Sequence, residues 1–362
     1  MPEAQSHLEC AVDNPVVPAI NGLRGISILL LVMGHYGRGL GPLGYSLTQP
    51  LPGYSVQILF VITGFIVTIA MQRAAEAGQF DVGGWLLRKA IRLYPTLIAI
   101  LIVTTAIQSW KNGHPVPPAR YAGFLTLVGN YYYALAGTDE YRHAVGHLWS
   151  IMVGAQFLIA WAIAFRWASV RSVLDRLARP LVVVVAVSMI LRILLSESAS
   201  VLPAYAYLAT EGRVGEIAIG ALAALWVTSS LAVVERLLRR QFALCAAVLL
   251  IATFFMDHWI QYPVQLLATT YLTVYLVGLN GRGLSRVLES RFLAGISLIS
   301  YSIFTWHLYG LDLDAPLAFL PLAIRMPVVV LSSLAVGAAF YMILEWPVRR
   351  RTDAGVRGRV AS

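Results

Sequence analysis

Residues 21–37, NGLRGISILLLVMGHYG, form an apolar run that carries a guanidinium, Arg24, near its start and an imidazole, His35, near its end. On a helix, eleven residues at 100° each make three turns plus about 20°, so both lie on one face, about 16 Å apart along the axis. Ionisable groups inside a hydrocarbon-spanning segment are costly unless they are paired or wet, and they mark candidate functional positions. Histidine can take or give a proton near neutral pH. A structural hydrogen bond for His35, and an Arg24 side chain snorkelling to the headgroups, fit the same spacing. A second candidate is WLLRKAIRLYPTL, where Arg88 and Arg92 stand four residues apart on one face beside Lys89, with Pro95 interrupting the ladder after them. Two stacked guanidiniums can grip phosphate, and they can equally anchor a span at the membrane surface. GHLWSIMVGAQF supplies His147, Trp149 and Ser150, ISYSIFTWHLYG supplies Tyr301, Trp306 and His307, and LEWPVRRR supplies Glu345 before a basic stop.

The elements that must position these residues follow from composition. The 362 residues are 58% hydrophobic and 12% charged, with mean hydropathy +0.72. Soluble domains carry about 25% charged residues, so the pattern is that of an all-α integral membrane protein. Runs long enough to cross about 30 Å of hydrocarbon fall near 20–38, 53–72, 91–110, 147–167, 180–196, 211–231, 242–257, 262–280, 292–311 and 324–345. FMDHWIQYP reads as a tight turn or break between the seventh and eighth. AGFLTLVGNYYYALAG (122–137) is too short and broken to span, and it belongs at the surface or in a re-entrant segment.

The net charge of +9 is unevenly placed. Nineteen Lys and Arg residues fall in alternate connections and the C-terminus, five in the others, and Arg24, Arg192 and Arg213 lie in or at the spans. That bias predicts ten spans with both termini cytoplasmic, and it accounts for the basic charge without a nucleic-acid partner. The expected organisation is a short cytoplasmic tail (1–18), a transmembrane domain (19–348) and a basic cytoplasmic tail (349–362). Cys10 and Cys245 lie in unlike surroundings and suggest no disulfide framework.

Taken in order, these motifs resemble the membrane-bound acyltransferase-3 family, multi-span enzymes that O-acylate carbohydrates and other acceptors. GLRGISILLLVMGHY is similar to its first-span pattern, LFVITGF to its Ser/Thr-Gly-Phe segment, and RKAIRLYP to its Arg-x-x-x-Arg-x-x-Pro segment. HLWS…QF, SYSIFTWH and EWP are similar to its later motifs. The resemblance implies a plasma (inner) membrane, multi-pass enzyme that moves an acetyl or other short acyl group from acyl-CoA to a hydroxyl of a glycan, glycolipid or small metabolite. It implies His35 as catalytic base or acyl carrier, Arg24 as its catalytic partner stabilising developing charge, and Arg88 and Arg92 as acyl-donor ligands. His147, Trp149, Ser150, Tyr301, His307 and Glu345 are then acceptor-side or structural residues. No bound cofactor and no metal are expected: acyl-CoA, most simply acetyl-CoA, is a co-substrate, and the other partners are a hydroxylated acceptor, a carbohydrate above all, and the bilayer. Where the family commonly has acidic residues, this chain has Gln57, Gly154 and Ala155. Those departures motivate a non-catalytic reading, and a glycolipid transporter is a further alternative, although no internal repeat is visible.

Overall fold

The computed structural model describes residues 18–37, 44, 47–113, 119–136, 145–197, 202–229, 238–279 and 284–350, and among them all regular structure is helical. The polar tail with Cys10 and the basic residues beyond 350 lie outside the described residues. So do several loop arginines behind the charge reading, among them Arg38, Arg142, Arg236 and Arg282.

The helices are α1 (Pro18–Tyr36), α2 (Leu51–Glu76), α3 (Val82–Asn112), α4 (Ala119–Leu125), α5 (Gly129–Ala136), α6 (Trp149–Val170), α7 (Ala178–Ser196), α8 (Leu202–Leu208) and α9 (Thr210–Ser229). They continue as α10 (Arg240–Ala252), α11 (His258–Leu279), α12 (Leu284–Leu288), α13 (Arg291–Leu298), α14 (Ser300–Leu311) and α15 (Leu322–Phe340). Six of these segments are long and apolar enough to cross a membrane: α1, α2, α3, α6, α7 and α15, each of the last three with its flanking turns. The α13–α14 pair passes together and makes a seventh if counted as one span. The remaining apolar runs are helical too. α9 carries Glu211, Arg213 and Glu216 near its start, and α10 has only 13 residues.

One expectation changes in the structure. The ninth run is not one straight helix, because α13 and α14 meet at a bend of 79° at Ile299. Pro95 lies inside a helix, where it removes one N–H from the ladder. α3 starts at Val82, where the Asp81 carboxylate caps the amides of Gly83 and Gly84, and runs through Pro95 to Gly113 in the left-handed conformation. RKAIRLYP therefore lies wholly within one helix. FMDHWIQYP is a tight break, a 3-10 turn at Thr253–Phe255 followed by α11. Residues 119–136 form two helices of seven and eight residues, too short to span.

The long α2 lies at the centre. It crosses α9 so closely that a Cβ on Gly64 would sit 1.9 Å from the Ile217 carbonyl oxygen, and one on Gly220 2.0 Å from that of Val61. Glycine is thus required at both positions, and small residues at a helix crossing are how membrane helices approach without a hydrophobic driving force. The main core joins Ile28, Leu31 and Val32 of α1, Val56 and Phe60 of α2, Trp149 and Val153 of α6, Ile217 and Ala218 of α9, and Ile303 and Phe304 of α14. The outer faces are equally apolar. Ile98 and Ile102 of α3, Val183, Val187 and Leu194 of α7, and Leu331 of α15 are exposed, a surface suited to lipid.

Candidate functional site

Three histidines from three distant parts of the chain meet at one end of the bundle. His35 ends α1, His147 sits in the 3-10 turn Gly146–Leu148 ahead of α6, and His307 lies on α14. The His35 Nδ1 and His307 Nε2 atoms are 3.0 Å apart, with ring centroids at 4.9 Å. The His147 ring stands nearly perpendicular to that of His307 at 5.2 Å. His147 and His307 are buried and His35 is half-buried.

Backbone carbonyls fix the proton positions. The Phe304 carbonyl can only accept, so His307 Nδ1–H donates to it at 2.8 Å. In neutral His307 the Nε2 lone pair then accepts from His35 Nδ1–H, which leaves the basic lone pair of His35 on Nε2. His147 Nε2–H likewise donates to the Thr305 carbonyl at 3.0 Å, so its Nδ1 is an acceptor, buried and without a hydrogen-bond partner among the described residues. The result is a directional chain, His35 to His307 to the Phe304 carbonyl.

A second cluster lies about 16 Å along α1, a distance set by the 1.5 Å rise over eleven residues. Lys89 stands among the charges of Arg92, Arg24 and Arg88, and Arg24 is reached by those of Arg349 and Glu345. A π-helical turn, Tyr341–Glu345, ends α15 and turns the Glu345 carboxylate inward. There it accepts from Ser302 of α14 and from Arg349 Nη2 at 3.3 Å. Among the described residues, the five cations Arg24, Arg88, Lys89, Arg92 and Arg349 against the Glu345 carboxylate leave the cluster positive.

The other sequence-selected residues divide between the two ends. Ser150 donates to the His147 carbonyl at 3.4 Å, and Tyr301 donates to the Leu93 carbonyl of α3 at 2.9 Å. Trp149 meets Phe60 edge-on at 6.1 Å. At the family departures, Gln57 is buried with neither amide atom hydrogen-bonded among the described residues, and a side chain at Gly154 would meet nothing within 4 Å. Gln156 is held by the Leu127 carbonyl, Asn130 and Thr210, which ties α5 and α9 to α6.

Sequence reading missed one arrangement. Arg192 of α7 and Arg213 of α9 share a single buried carboxylate, Glu216, at 3.0 and 3.1 Å. The available signal was the presence of two arginines in apolar runs, with Glu216 three residues beyond Arg213 on the same face.

A sequence profile described as an acyltransferase domain, that of the acyltransferase-3 family, matches residues 17–343, nearly the whole chain. Neither the curated proteins nor the solved structures contain a match.

Proposed function

Since the chain belongs to the acyltransferase-3 family, we propose that it is a membrane-embedded O-acyltransferase in which His35 moves the proton of an acceptor hydroxyl. The observation that carries this reading is the 3.0 Å contact between His35 Nδ1 and His307 Nε2, which leaves the His35 Nε2 lone pair as the basic site. The donor is acyl-CoA and the acceptor a hydroxyl of a glycan, glycolipid or small metabolite.

In this reading the acceptor oxygen attacks the thioester carbonyl carbon while His35 Nε2 takes the hydroxyl proton. The C–S bond then breaks, and the departing CoA sulfur receives the proton from His35. His307 holds the imidazole in the required tautomer, and its Nε2 lone pair faces the Nδ1–H of the imidazolium that forms. Arg24 belongs with the donor rather than with the reacting carbonyl, because about 16 Å of helix separates it from His35. Arg24, Arg88, Lys89 and Arg92 offer the phosphates of CoA charge-assisted contacts, and the extended pantetheine arm carries the thioester along α1 toward the histidines.

The topology of this reading is ten spans in the plasma membrane with both termini cytoplasmic. Its support is the alternating basic charge and the helix found at each apolar run. The cationic cluster then faces the cytoplasmic pool of acyl-CoA, and the histidines lie toward the opposite side.

The test uses purified protein, acetyl-CoA labelled in the acetyl group, and a panel of hydroxylated acceptors. Ester-linked label on an acceptor, with an equal amount of CoA thiol released, is the expected result. Thiol release and acceptor labelling both at the no-enzyme rate across the panel would overturn the reading.

A further inference from the structure

The histidine site leaves the arrangement at Arg192 and Arg213 unused, although it is the most heavily charged buried feature away from the cationic cluster. Arg213 is fully buried, and its guanidinium carbon lies 4.9 Å from the Trp149 ring, 5.0 Å from Tyr207 and 5.8 Å from Phe60. Arg192 packs 4.1 Å from the Tyr262 ring and keeps 18% of its side chain exposed, so it forms the accessible edge. Among the described residues, Arg192 and Glu216 are the ionised side chains acting on Arg213, with the Tyr207 and Tyr262 hydroxyls beside them. Two guanidiniums therefore share one carboxylate, which leaves one positive charge in excess in an aromatic-walled, membrane-embedded region.

A surplus charge in such a place is costly unless a partner neutralises it. Polar valences are open there as well. Arg213 Nε is buried and unpartnered among the described residues, and so are both amide atoms of Gln57, one helical turn before Phe60 on the same side of α2. Aromatic faces stabilise a guanidinium but accept none of its in-plane N–H groups.

The location ties this surplus to the reaction site. Trp149, against Arg213, follows His147 by two residues, and His147 packs on His307, the hydrogen-bond partner of His35. We propose that Arg192, Arg213 and Gln57 form a subsite for an anionic group of the acyl acceptor, a carboxylate or a phosphate ester. Its place as an acceptor subsite rests on the acyltransferase reading above, whereas the anion binding itself does not. Guanidinium donors suit planar or tetrahedral oxyanions, and Gln57 supplies an amide where a carboxylate would repel them.

The test is thermal unfolding of the full chain in phosphatidylcholine nanodiscs without acyl-CoA, in the Arg88→Ala/Arg92→Ala background so that the donor cluster does not bind the probe. Glucuronate and glucose 6-phosphate are titrated against glucose at matched ionic strength. A saturable rise in melting temperature with either anion and none with glucose is expected. A response to glucuronate alone selects the carboxylate, and one to glucose 6-phosphate alone selects the phosphate ester. Arg213→Gln should weaken binding at least about tenfold, as expected for one charge-assisted contact. Arg192→Gln, at the exposed edge, supplies the same comparison if Arg213→Gln does not fold. Glu216→Gln should tighten anion binding. No anion-specific shift in the parent, or an equal shift in both arginine variants, would overturn the subsite. Because no acyl donor is present, failure of acyl transfer with the anion shift intact would count against the acyltransferase reading alone.

Discussion

His307 orients the His35 imidazole through its Nδ1, and the proposed reaction uses the lone pair this leaves on Nε2 as the base. The two are 272 residues apart in sequence, so no spacing rule links them. What the sequence shows is that Arg24 and His35 share a face. It grouped His307 with acceptor-side or structural residues because tautomer and partner are set only when α14 docks on α1. A His307→Ala variant should therefore lower kcat by about 10²-fold or more, the size of a lost general-base contribution, with KM for acyl-CoA unchanged. Initial rates at varied acyl-CoA check this, and unchanged kcat would make His307 a packing residue only. That Arg88 and Arg92 share a helix face was legible because four-residue spacing on a helix is a local property. Arg88→Ala and Arg92→Ala should each raise KM for acyl-CoA about ten- to hundredfold, since each loses a charge-assisted phosphate contact of about 1.5–3 kcal/mol. The same initial-rate measurement reads that change.

At the scale of elements, apolar periodicity located helices well because a backbone in hydrocarbon must satisfy its hydrogen bonds internally. It marked the break at FMDHWIQYP but not every bend, nor how two helices cross. The 79° bend between α13 and α14 falls inside a continuous apolar run. The α2–α9 crossing depends on Gly64 and Gly220, two of 29 glycines, and only the tertiary contact distinguishes them. Gly64→Ala should lower stability by about 1–3 kcal/mol, since its Cβ would overlap a backbone carbonyl that can retreat only by separating the helices. Gly154→Ala meets open space and removes a flexible residue from α6, so it should be neutral or slightly stabilising. Melting curves of both variants in detergent make the comparison, and equal melting temperatures would contradict the close crossing.

Across the whole molecule, the proposed reaction runs from a cationic cluster to a histidine cluster about three turns along α1. Charge bias supplies the proposed orientation, whereas the Arg192–Glu216–Arg213 arrangement was hidden because it joins residues on two helices. In a background lacking Cys10 and Cys245, Ala77→Cys should react with an impermeant thiol reagent only after the cells are opened. Lys111→Cys, at the far end of α3, should react in intact cells. Labelling of both from the same side would refute the orientation. The central claim, that His35 is the base for acyl transfer, is tested most directly by a single-turnover comparison of wild type and His35→Ala. Both proteins, matched by melting temperature and each in excess over labelled acetyl-CoA, are mixed with an acceptor that wild type labels. The expected result is transfer by wild type, with label passing straight to the acceptor, and no transfer above background by a folded His35→Ala protein that still binds acetyl-CoA. Transfer by His35→Ala at the wild-type rate would contradict it.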